Sequence, residues 1–231
     1  LDAPNQEEVF RYYYRGGAPV YPLPPGLGGD DAQTQAAVRQ IIADYARVFV
    51  LFWGEAERDP NRVVETTLDG EAFEAGQDVW YGDVRLARYV TPAEMPAPTP
   101  LNTRFGEQIV LAAYALSAET LRVGDVLQAR LEWRADAPIA RRYKVFVQLL
   151  NAQGTLAAQR DAEPGGNSLP TTAWTPGETV VDNHGLALPT DLAPGRYTLI
   201  VGLYDIDNPA ARLLTETGAD YVVLGEVTVR G

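Results

Sequence analysis

TPAEMPAPTP, at residues 91–100, divides the sequence into two parts of different character. Its four prolines remove backbone hydrogen-bond donors and favour an extended, semi-rigid connector. Before this stretch, apolar residues at helical spacing alternate with short apolar runs, whereas after it apolar and polar residues alternate with a period of two. The change of pattern predicts two domains, at residues 1–91 and 101–231, with a proline-rich linker over residues 92–100.

The first half predicts an α/β domain. RVFVLFW at residues 47–53 is a continuous apolar run, which is typical of a strand buried on both faces in a parallel sheet. Strands and helices alternate around it, so we expect a Rossmann-like three-layer domain whose first strand lies upstream of Leu1. The other predicted elements are helices over residues 5–15 and 60–68, a helix capped by Asp30 or Asp31, a short strand over residues 18–23, and a final strand or hairpin over residues 80–90.

The second half predicts an immunoglobulin-like β-sandwich. Apolar residues alternate with polar ones in runs such as residues 127–133, 143–149 and 197–203, and turn signals separate the runs. Seven or eight strands at this spacing are typical of a sandwich. Tyr197 follows Pro194 and Gly195 and opens a strand, which is the position of a tyrosine corner.

Composition excludes several functional classes. The 231 residues carry 31 Asp and Glu against 19 Lys and Arg, a net charge of -12, which argues against nucleic acid as a partner. The sequence has no Cys, which excludes disulfides and thiol nucleophiles, and its single His184 excludes a site that needs two imidazoles. No apolar run approaches the ~20 residues that a membrane-spanning helix requires.

Three motifs have a chemical and a structural interpretation, and the structural one is favoured each time. The glycine-rich residues 25–29 lack phosphate-loop spacing and predict a plain turn. Asp205 and Asp207 resemble the start of a calcium loop, but the sharp-turn glycine is missing. His184 has Asp182 to orient it but no serine in a nucleophile elbow. We therefore predict no catalytic residue, no cofactor and no metal site, and the sequence leaves open whether a metal binds near Asp205.

Polar side chains are predicted to gather where the apolar strand ends. Glu55, Glu57 and Asp59 follow it directly, and ligands collect at the carboxyl ends of parallel strands. The amides of Asn5 and Gln6 are expected at the same edge. These five residues are the predicted ligand-binding set, suited to sugar hydroxyls or a cation. The alternative is a solvated acidic loop in which Asp59 caps a helix.

Aromatic residues concentrate at residues 12–14, at Tyr21, and at Trp80 and Tyr81. Aromatic platforms stack on sugars, but helix and strand cores use the same residues. Because Tyr13 and Tyr14 fall on one helical face with Val9 and Phe10, the core interpretation is favoured.

Several strings resemble a known family. APNQEEVFRYYYRGGAPVYPLP at residues 3–24, YARVFVLFWGEAERDPNRVVETTLD at 45–69 and GDVRLARYVTP at 82–92 resemble the soluble segment that follows the membrane domain in bacterial family 39-like glycosyltransferases, which are related to protein mannosyltransferases. WTPGETVVDNHGLALPTDLAPGRYTLIVGLYD at 174–205 is similar to the β-sandwich that often ends such chains.

The resemblance implies a non-catalytic extracytoplasmic region of a polytopic membrane glycosyltransferase, attached to the cell membrane through upstream helices. Its partner would be the membrane domain of the same parent chain, and its role would be to cover the active site or to position a glycan or lipid-linked sugar. The family's catalytic acidic residue is expected in an early loop that nothing here matches. The alternative is a cell-surface carbohydrate-binding or adhesion module with no transferase attached.

Overall fold

A computed structural model describes residues 1–26 and 28–231, and at Glu55 it describes the backbone without the side chain. The chain divides into two compact units, Leu1–Thr91 and Pro92–Gly231. The first unit contains a 3₁₀ turn at Pro4–Gln6, helices α1 (Glu7–Tyr13), α2 (Asp31–Asp44), α3 (Glu55–Arg58) and α4 (Val63–Glu71), and strands β1 (Arg47–Phe52), β2 (Phe73–Ala75), β3 (Val79–Tyr81) and β4 (Val84–Val90).

The strands of the first unit form an antiparallel sheet. β4 pairs with β1 along one edge and with β2 and β3 along the other, and all three pairings are antiparallel. β3 and β4 form the predicted hairpin, and its turn at Gly82 and Asp83 is tight because Gly82 adopts a φ of 64°. A Rossmann-like domain requires parallel strands joined by crossover helices, and β1 and β2 both pair antiparallel to β4, so the prediction of a Rossmann-like domain is wrong.

Helices α2 and α4 cover one face of this sheet. Their buried side chains, including Val38 and Leu68, pack with Val50, Phe52 and Tyr89 of the two longest strands. On the opposite face, 62% of Phe49 is exposed, so β1 is buried on one side only. The prediction of a three-layer domain with β1 buried on both faces is therefore wrong.

The helix boundaries follow local capping. Asp30 is the N-cap of α2, and its carboxylate accepts the backbone N–H of Gln33 at 2.9 Å, as predicted. The helix predicted over residues 5–15 is the 3₁₀ turn followed by the short α1, and the one predicted over residues 60–68 begins at Val63. In the part of the chain that the structure describes, no helix has both the length and the apolarity needed to cross a bilayer.

The second unit is a β-sandwich, as predicted. One of its sheets has the order β5-β6-β8-β11, and the other has the order β10-β9-β12-β14-β7, with β13 also paired to β12. β5 begins inside the stretch predicted to be linker. The strands are β5 (Thr99–Phe105), β6 (Ile109–Leu116), β7 (Thr120–Arg122), β8 (Val126–Ala135), β9 (Tyr143–Leu150), β10 (Leu156–Ala162), β11 (Thr179–Ala187), β12 (Gly195–Asp205), β13 (Asn208–Arg212) and β14 (Val222–Arg230).

Alternating apolar residues from both sheets fill the sandwich core. Leu131 and Trp133 of β8 face Leu149 of β9 and Leu199 of β12, and all four are fully buried. Tyr197 is the predicted tyrosine corner, because its hydroxyl donates a hydrogen bond to the carbonyl of Ala193 at 2.7 Å. The period-two pattern of the sequence therefore locates the core of this unit.

Replacing a core leucine should destabilise the sandwich far more than replacing a surface one. Leu131→Ala removes a fully buried side chain, and we expect a loss of about 2–5 kcal/mol in the free energy of unfolding. Leu156→Ala, at an exposed position of the same sandwich, is the matched control and should change stability by no more than about 0.5 kcal/mol. Urea denaturation followed by near-UV circular dichroism measures both; equal losses would contradict the assigned core.

Candidate functional site

The residues predicted to bind a ligand lie on separate short elements. Asn5, which is exposed, and Gln6, which is half-buried, belong to the 3₁₀ turn, while Glu57 is an exposed residue of α3. Among the described residues, no hydrogen bond or ion pair joins either amide to Glu57 or Asp59. Glu55 lies at the start of α3, but its side chain is outside the described residues. Ligand binding by these five residues stays a prediction.

Asp59 has a clear structural role. It is buried, and its two carboxylate oxygens accept the backbone N–H groups of Val63 and Val64 at 2.8 and 2.9 Å. These N–H groups belong to the first turn of α4, where no helical carbonyl is available to accept them. Asp59 therefore stabilises the start of α4, which is the capping role that the sequence offered as the alternative.

The buried carboxylate of Glu65, on α4, binds two arginine side chains of the neighbouring surface. Only 2% of the Glu65 side chain is exposed. One of its oxygens accepts a hydrogen bond from Arg85 of β4 at 2.6 Å, and the other accepts one from Nε of Arg62 at 2.8 Å. Two guanidinium groups thus compensate one desolvated charge, and they link the helix to the sheet.

Arg85 connects this buried charge to the surface. Its guanidinium lies 4.1 Å from the ring centroid of Phe52 and 6.0 Å from that of Trp80, and it donates to Asp78 at 3.0 Å. Burial acts to lower the pKa of Arg85, but the hydrogen bonds and negative charges of Glu65 and Asp78 outweigh it and raise that pKa. Arg85 is therefore a fixed positive charge beside an aromatic ring.

The aromatic side chains of this region are on the surface. Trp80 is 62% exposed and Tyr81 is 65% exposed, and they belong to β3, a three-residue strand whose residues are all exposed. On α1, Tyr12 and Tyr13 are also exposed, and that helix has no buried residue. The prediction that these aromatic residues form core is wrong.

We call the surface formed by Trp80, Arg85 and Asp78 the Trp80 face. The Asp78 side chain is 21% exposed, and Arg85 holds its carboxylate. A flat exposed ring near a partly exposed carboxylate suits a ligand with an apolar face and hydroxyl groups. This arrangement lies beside the end of β1, since Phe52 pairs with Arg85.

The sequence identified part of this site. The sequence marks Trp80 and Tyr81 as an aromatic concentration but favours a core role for them, and it predicts a ligand site, made of other residues, at the end of β1. Glu65, Asp78 and Arg85 were missed, because they meet only through strand pairing and helix packing. The available signal was Glu65 itself, an acidic residue in the first turn of a predicted helix.

A second buried polar cluster lies inside the sandwich. The carboxylate of Asp182 is fully buried; it accepts from Nε1 of Trp133 at 3.2 Å and from the backbone N–H of Gly165 at 2.9 Å, and it lies 2.7 Å from Nε2 of His184. Asp182 therefore does orient His184. Both side chains are closed off from solvent, which agrees with the structural interpretation of this histidine.

The calcium-like motif at Asp205 also makes structural contacts. Asp205 pairs with Arg141 at 2.7 Å and accepts the backbone N–H of Asp207 at 2.9 Å. Within the described residues, no group of three or more His, Asp or Glu side chains is arranged to hold a metal ion. The predicted turn over residues 25–29 includes Leu27, which lies outside the described residues.

Comparisons with known proteins give distant likenesses. No family model matches the sequence, and no curated protein does. Among solved structures, the chain is similar to the C-terminal domain of wzt, with 12% identity and a TM-score of 0.40 over 59% of this chain and 80% of that one. It is also similar to a Niemann-Pick type C2 protein from Japanese carpenter ant, with 4% identity and a TM-score of 0.38 over 58% of this chain and 99% of that one.

A third likeness is to a beta-glucosidase from Listeria innocua in complex with glucose, with 16% identity and a TM-score of 0.33. It covers 56% of this chain but only 16% of that enzyme. At TM-scores of this size, none of the three likenesses identifies a family or a function for this chain.

Removing the Asp59 carboxylate should destabilise the first unit. Asp59→Ala leaves two backbone N–H groups without an acceptor, and we expect a loss of about 1–3 kcal/mol in the free energy of unfolding. Glu57→Ala, which alters an exposed carboxylate two residues earlier, should stay within about 0.5 kcal/mol. Thermal denaturation of both variants makes the comparison, and an unchanged midpoint for Asp59→Ala would refute the capping role.

Removing the Asp182 carboxylate should have a larger effect on the sandwich. Asp182→Ala leaves buried donors of Trp133 and Gly165 unpaired, and we expect a loss of about 3 kcal/mol or more. Asp191→Ala, at an exposed acidic position of the same unit, is the control. Urea denaturation measures the free energy of unfolding of both variants. If Asp182→Ala is as stable as the unaltered chain, Asp182 has no structural role.

Proposed function

We propose that this chain is a non-catalytic extracytoplasmic region of a polytopic membrane glycosyltransferase, and that its Trp80 face positions a glycan or the sugar of a lipid-linked donor. The observation that carries the proposal is the exposed ring of Trp80, which lies near the fixed charge of Arg85, together with the partly exposed carboxylate of Asp78 that Arg85 holds. This combination offers both an apolar and a polar contact to one small ligand.

Each group of the Trp80 face has a distinct task in this proposal. The ring of Trp80 packs against the C–H face of a pyranose, since a flat apolar surface excludes water from both partners. The partly exposed carboxylate of Asp78 accepts a hydrogen bond from a sugar hydroxyl. Arg85 holds Asp78 in place and is itself held by Glu65, so the site is ordered before a ligand arrives.

The larger context rests on the sequence resemblance. Residues 3–24, 45–69 and 82–92 resemble the soluble segment of family 39-like glycosyltransferases. Arg85 and its partner Glu65 fall within these strings, whereas Asp78 and Trp80 lie just before the third. The proposed partner is accordingly the membrane domain of the same parent chain, in which the catalytic residues would lie. The acidic composition supports a glycan rather than a nucleic acid as the further ligand.

An immunoglobulin-like assignment of the sandwich belongs to the same proposal. The order β10-β9-β12-β14-β7, the parallel pairing of β7 with β14, and the tyrosine corner at the start of β12 support it. In such a fold, binding is carried by loops or sheet faces rather than by the core. We assign no ligand contact to this unit.

The alternative is a cell-surface carbohydrate-binding or adhesion module with no transferase attached. It shares the sugar chemistry of the Trp80 face and differs in what the parent chain contains. The gene sequence upstream of Leu1 separates the two: several hydrophobic spans support the transferase, and a lone signal peptide supports the module.

Sugar binding should depend on Trp80. We would titrate the chain by calorimetry with the methyl glycosides of mannose, glucose, galactose and N-acetylglucosamine, and with a polyprenyl-phosphate mannose in detergent. For the tightest binder of this panel, Trp80→Ala should raise Kd about tenfold or more, because tryptophan contacts dominate small interfaces. Asp78→Asn should weaken binding less, since it keeps an oxygen acceptor.

Tyr13→Ala is the matched control, because Tyr13 is an equally exposed aromatic residue of the same unit on α1. It should bind the same sugar with unchanged Kd. Equal binding by the Trp80→Ala variant, or no binding of any panel member by the unaltered chain, would count against the proposal.

A further inference from the structure

A cavity of about 430 Å³ lies along the outer edge of β1 in the first unit. β1 forms one wall, and residues 18–21, which belong to no helix or strand, also line the cavity. Helices α2 and α4 close one side, and α1 contributes Phe10 and Tyr14. The lining is mostly aliphatic and aromatic, so the cavity suits an apolar occupant.

The edge of β1 that borders this cavity carries backbone groups that β4 does not use. In an antiparallel pair, successive residues point their N–H and C=O groups alternately toward and away from the partner strand. The carbonyl of Leu51 points away from β4, because it accepts the N–H of Asp2 at 2.8 Å. By the same alternation, the N–H and C=O groups of Arg47 and Phe49 point into the cavity.

At one end of the cavity, Leu1 and Asp2 already occupy the position of a strand. Asp2 forms a parallel bridge with Phe52. On the other side, the amino group of Leu1 donates to the carbonyl of Tyr21 at 3.0 Å, and the N–H of Leu23 donates to the carbonyl of Leu1 at 2.9 Å. This alternation of partners is that of a central strand in a parallel sheet.

We propose that the cavity is a strand acceptor, which receives an extended apolar peptide segment that runs parallel to β1 and continues directly into Leu1. The segment would complete a sheet between β1 and residues 18–21. The backbone groups of β1 and of residues 18–21, together with the bridge between Asp2 and Phe52, fix the direction and the register of this segment. An extended peptide is therefore favoured over any other apolar molecule.

The register predicts specific hydrogen bonds. The residue that precedes Leu1 would donate to the carbonyl of Phe49 and accept from the N–H of Leu51, and the residue before that would accept from the N–H of Tyr21. The stretch of β1 from Arg47 to Leu51 is about 13 Å long at ~3.3 Å per residue, which accommodates four residues.

The environment also specifies the chemistry of the segment. Val38, Ile41 and Leu68 line one side of the cavity, and Phe10 and Leu86 line it elsewhere, so side chains on both faces of the segment should be apolar.

The test compares two forms of the chain that differ in what precedes Leu1. One carries six residues of alternating valine and leucine, and the other carries six of alternating serine and glycine. The apolar extension should raise the thermal midpoint by about 5 °C or more over the polar one. It should also slow hydrogen exchange of the Leu51 amide about tenfold or more, because that N–H gains an acceptor.

Phe49→Pro supplies the matched variant. Proline is tolerated on an edge strand when its missing N–H faces away from the neighbouring strand, so without an extension the variant should keep the midpoint of the unaltered chain. With the apolar extension, the variant should lose most of the gain in midpoint and in Leu51 protection, because one bond to the incoming segment is absent.

Three results would overturn the proposal. The first is an equal midpoint and equal Leu51 exchange for the apolar and polar extensions. The second is a gain in midpoint that survives Phe49→Pro with no change at Leu51, which indicates unspecific burial of an apolar tail. Protection of Leu51 in the chain without any extension, accompanied by dimer formation in sedimentation, would assign the edge to a second copy and would equally refute the inference.

Discussion

The buried carboxylate of Glu65 is the interaction on which the candidate site of the first unit depends. Removing such a charge from water costs several kcal/mol, and the cost is offset only when partners are well placed. Arg62 and Arg85 supply two positive charges, and Arg85 reaches from β4 to do so. The ion pair therefore ties α4 to the sheet. It also fixes the guanidinium that supports Asp78 and lies beside Trp80.

The hairpin β3-β4 carries both Arg85 and Trp80. It therefore connects the buried ion pair of Glu65 with Arg85 to the exposed Trp80 face. Its tight turn places β4 antiparallel to β3, and the three residues of β3 are all exposed. The Trp80 face is consequently held by buried contacts on one side and open on the other. β1 contributes at both of its ends: Phe52 packs under Arg85, and the edge around Phe49 borders the cavity that we assign to an incoming strand.

Sequence patterns predicted the elements that depend on local chemistry. The Asp30 cap, the hairpin before Val84, the alternating strands of the sandwich and the corner at Tyr197 all follow from residues close together in the chain. The direction of strand pairing does not, because the apolar run at residues 47–53 fits a parallel or an antiparallel neighbour equally well. Glu65 and Arg85 are twenty residues apart, and nothing local signals their contact. The same limit applies to the acidic residues around Asp59. The sequence places them in the predicted ligand-binding set, although Asp59 itself caps a helix.

The most direct test of the central claim uses the four tryptophans of the chain as separate reporters. In a ¹H–¹⁵N spectrum, the indole N–H groups of Trp53, Trp80, Trp133 and Trp174 give individual signals that site-directed variants assign. Addition of the tightest-binding sugar should shift the Trp80 signal and leave those of Trp133 and Trp174, which are buried in the sandwich, unchanged. A shift at Trp133 or Trp174 with Trp80 unmoved would contradict the account, because it would place sugar recognition in the sandwich rather than on the Trp80 face.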